Sequence, residues 1–265
     1  MGGASSKQTF TQLIHSLLEK DIDAQDHEFW DELWKTVLTT EEIFEILLPD
    51  NIRKLIHERP ENVKTIFTQA VAQLYQVVET PYPIYFQQAL NCVRVLTRIL
   101  PFLSESNSPA VKDLLWNKRL VKNIQAEAEA SHEDEKKSAE TTESDEYQET
   151  EPLGVILVNT LYHLLFLPDL TIEDPNAEFA ESDIDSPAFK QALLWNDRTV
   201  TSSSAYDLNR VEMLRLMLAT FSDALYQSAE RYDSCASLWL EVATSADAPY
   251  AEIIFHSLLN SALGK

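Results

Sequence analysis

The stretch FQQALNCVRVLTRILPFL, residues 86–103, decides the fold. Phe86, Leu90, Val93, Leu96 and Leu100 recur at helical spacing, and Ala89, Cys92, Ile99 and Leu103 widen the same face. A stripe this broad belongs to a helix buried against several neighbours. Arg94 and Arg98 sit one turn apart beside it. Pro101 has no N–H to give the helix ladder, so the helix is expected to stop or kink there.

Composition extends that reading to the whole chain. With 265 residues, 45% of them hydrophobic, the protein can bury a sizeable core. Glycine occurs only at Gly2, Gly3, Gly154 and Gly264, which leaves almost nothing for hairpin turns and favours an all-α fold. The same scarcity removes phosphate-cradling loops and dinucleotide fingerprints, which need clustered glycines between a strand and a helix. A net charge of −22 has the wrong sign for gripping phosphates, so nucleic acid is excluded as an expected partner. Cys92 and Cys235 both lie in apolar helical patterns and read as buried free thiols of a reducing compartment. No run approaches the roughly 20 apolar residues that span a bilayer, and Met1–Ser6 is not a signal peptide. The expected location is the cytosol or a cytosolic membrane face.

The organisation follows from patterning. Residues 1–6 read as a flexible start whose MGGASS matches the pattern M-G-x-x-x-[ST], making Gly2 a candidate acceptor of a myristoyl chain. Residues 7–126 form an N-terminal helical part. Its first helix starts at Lys7, Asp26 caps a second that buries Trp30, Leu33, Trp34 and Val37, and Thr39 with Glu42 forms a capping box for a third. Ile43, Phe44, Leu47 and Leu48 are its expected inward set. Pro60 opens a longer helix. Residues 127–151 hold eleven acidic residues against two lysines and no aliphatic core residue, so they read as a disordered acidic loop, as does the acidic run 173–185. Residues 152–265 are a C-terminal helical part of the same domain. Within it Asp207 is expected to cap a long helix with Leu208, Val211, Leu214, Leu218, Phe221 and Leu225 inward. The whole reads as an irregular α-solenoid-like stack of roughly ten helices.

No constellation of catalytic residues emerges. The six histidines never fall into a zinc-binding spacing, no serine carries the glycines of a nucleophile elbow, and no calcium-loop pattern is present. The expectation is a non-enzymatic protein with no cofactor, no metal and no small-molecule substrate. Arg94, Arg98, Asn209, Arg210 and Arg215 are the polar residues set into the most distinctive helices. Half-buried arginines need partners. Two readings stand: structural ion pairs with residues such as Glu212, or a site for docking a partner or an anionic headgroup.

Five stretches then carry a resemblance in chain order: MGGASSK at the start, FWDELW at 29–34, LNCVRVLTRILPF at 90–102, PLGVILVNTLYHLLFLPDLT at 152–171 and YDLNRVEMLRLMLATFSDALY at 206–226. Together they resemble the high-temperature-induced dauer-formation proteins, relatives of dymeclin. The resemblance implies a peripheral membrane protein of the Golgi and trans-Golgi network, N-myristoylated at Gly2. Such a protein acts in secretory-vesicle biogenesis and protein sorting beside trafficking proteins that the sequence does not identify. Members are several times longer, so the chain reads as an N-terminal portion or truncated form. The alternative is a soluble cytosolic helical interaction module without membrane attachment.

Overall fold

The computed structural model describes residues 3–117, 119–122, 147–172, 204–228, 236–250, 253–256 and 258–259. Helices α1 (Gly3–Glu19), α2 (His27–Lys35), α3 (Thr40–Ile46), α4 (Pro49–Glu58) and α5 (Pro60–Glu79) lead to α6 (Phe86–Ser106) and α7 (Pro109–Trp116). Strands β1 (Arg119–Lys122) and β2 (Tyr147–Thr150) precede α8 (Leu153–Leu164), α9 (Ser204–Phe221) and α10 (Leu238–Ala243). The fold is all-α. Its one sheet among the described residues is a two-stranded antiparallel ribbon with Arg119 opposite Thr150 and Lys122 opposite Tyr147.

Helix α6 occupies the centre. It touches α2, α3, α4, α5 and α9, and α5 in turn packs on α8. The whole stripe read from residues 86–103 is buried, and Asn91 and Val95 are buried beside it. Pro101 lies inside the helix, which continues to Ser106 and ends at Asn107 in the left-handed region, φ 43°. The missing N–H at Pro101 is therefore absorbed, because packing around α6 outweighs the loss of one ladder bond. Among the described residues, a chain so poor in glycine uses Asn107, Asp169 and Tyr250 at positive φ. Contacts that run from α6 to both α2 and α9 give the solenoid description no support, since solenoid units touch only their neighbours.

Local signals behave as read at several helix starts. The Asp26 carboxylate accepts from the Phe29 N–H, and Thr39 and Glu42 exchange both bonds of a capping box. Pro60 occupies the first turn of α5. Other expectations need correction. Helix α1 begins at Gly3, four residues before the expected start, because extending a formed helix through Ala4, Ser5 and Ser6 costs far less than nucleating one. Val37 is 58% exposed: α2 ends at Lys35, and in the extended backbone beyond it Thr36 and Leu38 point inward while Val37 points out. Leu48 is likewise exposed, as the extended N-cap of α4 beside buried Leu47. Residues 147–150, read as part of the acidic loop, form β2. Pairing with β1 satisfies backbone groups there without requiring aliphatic burial. Residues 127–146 of that loop, the run 173–185 and Cys235 lie outside the described residues.

The largest reversal concerns α9. Its buried residues are Met213, Leu216, Met217, Ala219 and Thr220, whereas Leu208, Val211, Leu218 and the following Leu225 are exposed. Asp207 lies in the first turn, not at the cap. Leucines populate both sides of this helix, so periodicity cannot choose a face; the polar residues Asn209 and Arg210 choose it, as the next subsection shows.

Glycine matters at one joint. A β-carbon on Gly154 of α8 would lie 2.7 Å from the ring of Trp116, which itself meets buried Trp239 edge to face at 4.7 Å. Gly154→Ala should therefore cost about 1–3 kcal/mol through overpacking. Leu96, fully buried in the middle of α6, should cost about 2–5 kcal/mol when cut to alanine, and Leu96→Asp should prevent folding. Urea denaturation of the purified chain measures the two milder variants; a neutral Leu96→Ala would contradict the central position of α6.

Candidate functional site

Helix α6 turns one polar edge toward the ends of α2 and α3. Asn91, Arg94 and Arg98 follow one another at spacings of three and four residues and so share that edge. The Asn91 amide nitrogen donates to the carbonyls of Trp34, at 2.9 Å, and Thr36. Arg94 Nη1 donates to the Leu38 carbonyl at 2.8 Å, and Arg98 Nε to the Leu47 carbonyl at 2.8 Å. These carbonyls lie at or just beyond the last turns of α2 and α3, where a helix has no acceptors' partners of its own. The Arg98 guanidinium also lies over the Phe44 ring at 4.7 Å and the Phe102 ring at 5.6 Å. Burial pulls its pKa below the ordinary guanidinium value, the group stays protonated, and the carbonyl and ring faces hold its charge.

Arg94 reaches in a second direction, to α9. Its Nε lies 3.7 Å from Glu212 Oε1, with both side chains nearly buried at 14% and 12% exposure. Thr40 of α3 donates its hydroxyl to the same carboxylate at 2.7 Å, across 172 residues of sequence. Arg215, half exposed, meets Glu212 at 3.5 Å from one turn further along α9. Asn209 and Arg210, one turn before, hold the chain that leaves α8. Asn209 donates to the Leu170 carbonyl at 2.8 Å, and Arg210 to the Thr171 carbonyl at 2.9 Å while pairing with Asp207. Of the five singled-out residues, Arg94 and Arg215 thus meet at Glu212, Arg98 turns toward the end of α3, and Asn209 and Arg210 hold the turn after α8.

Sequence reading missed Asn91 and Asn62. Asn62 is fully buried in α5; its amide donates to the carbonyls of Leu17 and Lys20 and accepts from the Ile22 N–H, fixing the turn after α1. An asparagine inside an apolar helical stripe was the available signal, since burial of an amide demands partners. Gly2 lies outside the described residues, one position before α1.

Other features offer little chemistry. A cleft of about 230 Å³ is lined by Asp31, Lys35, Gln73, Gln76, Tyr85 and Gln88, but Asp31 and Lys35 are spent on each other at 2.6 Å. Cys92 is fully buried, and burial drives its thiol pKa far upward, which leaves it protonated and unreactive. Among the described residues no group of three or more His, Cys, Asp or Glu side chains is placed to hold a metal ion, and no helix is long and apolar enough to cross a membrane. What the gathered polar residues do is join elements: one carboxylate ties α3, α6 and α9.

Comparison with known proteins supports a single family. The family model described as "High-temperature-induced dauer-formation protein" matches residues 1–264. Protein HID1 of Mus musculus is 28% identical over 276 residues, covering 98% of this chain and 32% of the mouse protein. Protein HID1 of Homo sapiens is 27% identical with the same coverage, 98% and 32%. In Schizosaccharomyces pombe, Ubp5-interacting protein ftp105 is 30% identical over 110 residues, which is 40% of this chain and 12% of that protein. The chain thus spans about a third of the length of the mouse and human relatives. No solved structure matches.

The Arg94–Glu212 contact generates a prediction. Arg94→Met strips a nearly buried carboxylate of its closest buried cation and a carbonyl of its donor, and should cost about 3 kcal/mol. Arg94→Met combined with Glu212→Leu should lose less than the two single variants summed. Chemical denaturation of all four proteins in the cycle should give a coupling energy of about 1–3 kcal/mol; additivity within about 0.5 kcal/mol would mean the pair does not join α6 to α9.

Proposed function

The chain belongs to the high-temperature-induced dauer-formation protein family, and from that membership we propose that it is a non-enzymatic scaffold or adaptor on the cytosolic face of Golgi and trans-Golgi membranes. It acts there in secretory-vesicle biogenesis and protein sorting, held to the membrane through an acyl chain on Gly2. The observation that carries this reading is the family match over residues 1–264 of a chain whose start also satisfies the myristoylation pattern. The name of ftp105, an interactor of Ubp5, supports an adaptor role for a relative that shares part of this sequence. The internal use of Arg94, Arg98, Asn209 and Arg210 adds support, because residues with catalytic potential are spent on holding helices together.

Anchoring follows from simple arithmetic. Helix α1 begins at Gly3 and is fixed in the core by Phe10, Ile14 and Leu17, so an acyl chain on Gly2 leaves from a held helix. One myristoyl chain gives reversible binding with an association constant of about 10⁴ M⁻¹, and durable attachment needs a second signal. A net charge of −22 repels anionic lipid within a Debye length of about 8 Å, so the second signal comes from a protein partner, or from the further length that the relatives carry, and not from a basic patch in these residues.

Fractionation and imaging of wild type beside Gly2→Ala test the proposal. Wild type should partition partly to Golgi membranes and Gly2→Ala should be soluble. Purified acylated chain should bind plain anionic liposomes only weakly. Golgi retention unchanged by Gly2→Ala, or tight liposome binding by the non-acylated chain, would overturn the acyl-anchor reading.

A further inference from the structure

The acyl acceptor and the start of α1 make conflicting demands on the same residues. The pattern that residues 1–6 satisfy fixes Gly2 and Ser6 and leaves positions 3–5 free. An enzyme that acylates the Gly2 amine and reads Ser6 must therefore enclose the backbone between them. Extended, those four steps span up to about 14 Å; wound into a helix they span about 6 Å on a cylinder about 10–12 Å across, which a cleft shaped for a single strand does not admit. In the folded chain residues 3–6 are the first turn of α1, and a helix that starts there spends their carbonyls on the N–H groups of residues 7–10. The next turn is tied down. Lys7 Nζ meets Glu45 Oε2 of α3 at 2.6 Å, and Phe10 is 1% exposed. A 17-residue helix rich in serine and threonine is marginal in water by itself, so α1 takes its hold from α2, α3 and α4, on which it packs.

We infer that folding closes the acylation site: Gly2 is acylated only before α1 forms, and a chain that folds unacylated stays so. This rests on the acyl-anchor reading of Gly2 given above. The step itself is an acyl transfer. The Gly2 amine, freed by removal of Met1, attacks the carbonyl carbon of an acyl thioester; the amide bond forms, the carbon–sulfur bond breaks, and the thiol leaves with the proton that the amine gives up. That chemistry asks nothing of the folded body except that residues 2–6 be drawn out of the helix. The hold on α1 therefore fixes two populations, acylated and unacylated, that do not interconvert in the folded state.

The test compares a peptide and the folded chain as substrates of an N-myristoyltransferase with myristoyl-CoA, each prepared with Gly2 as its first residue. A peptide of residues 2–11 should be acylated at least about 10-fold faster than the folded chain, because only the latter must open α1 first. Ala4→Gly with Ser5→Gly weakens the first turn at positions that the pattern leaves free. In the folded chain the glycine pair should raise the rate about 5-fold or more, and in the peptide it should change the rate by less than about 2-fold. Its thermal midpoint should stay within about 2 °C of wild type, since the change is confined to the end of one helix. Equal rates for the wild-type peptide and the folded chain would overturn the inference and leave the acyl-anchor reading standing. A glycine pair that speeds peptide and folded chain alike would overturn it too, since the gain would then come from the enzyme's preference and not from the helix. A peptide that is not acylated at all would bring down the Gly2 reading and the inference with it.

Discussion

Carbonyl groups at the ends of helices must find donors, and in this protein several of the donors come from other helices. A helix leaves its last carbonyls without intrahelical partners, and burying them unpaired costs free energy comparable to a lost hydrogen bond. Here Asn91, Arg94 and Arg98 of α6 serve carbonyls at and after the ends of α2 and α3, Asn62 of α5 serves those at the end of α1, and Asn209 and Arg210 of α9 serve the turn that follows α8. Short helices joined by tight connections can therefore end inside the body, not only at its surface. The side chains that do this also fix where each helix stops relative to its neighbours, so capping and tertiary packing are the same set of contacts.

This arrangement explains why α6 is central. An apolar stripe alone would pack against anything apolar, and burial is non-directional. Asn91, Arg94 and Arg98 add direction, since each must meet a particular carbonyl at hydrogen-bond distance. Glu212 repeats the device between α3, α6 and α9, where Thr40 and Arg94 converge on one carboxylate. A body locked in this way suits a scaffold, whose task is to hold surfaces in fixed relation and not to open and close around a substrate.

Sequence carried the local half of this structure. The buried face of α6, the caps at Asp26 and Thr39 and the helix start at Pro60 were legible because each signal and its partner lie within a few residues. The α9 face was not, because apolar residues lie on both of its sides and only the contacts of Asn209 and Arg210 with a turn 39 residues away settle which side is inward. Val37 and Leu48 were misplaced by extending helical periodicity past Lys35 and Ile46, where the backbone is extended and side chains alternate. Strand β2 was hidden because residues 147–150 were read together with the acidic run before them, and its backbone pairing with β1 leaves no local pattern. Of the candidate site, the residue types and one partner, Glu212, were legible, whereas the carbonyl partners were not, since hydrogen bonds across 50 residues or more leave no local pattern.

The bond between Thr40 and Glu212 has a consequence in time. The two residues are separated by 172 positions, and ribosomes add roughly 5–20 residues each second, so Thr40 waits roughly 10–30 s for Glu212 and α6, complete at Ser106, waits roughly 5–20 s. During that interval the side of α6 on which α9 will lie is bare, with Arg94 still lacking its carboxylate. The nascent protein must be sheltered through that delay, because the helix that covers this side of α6 is made only after it.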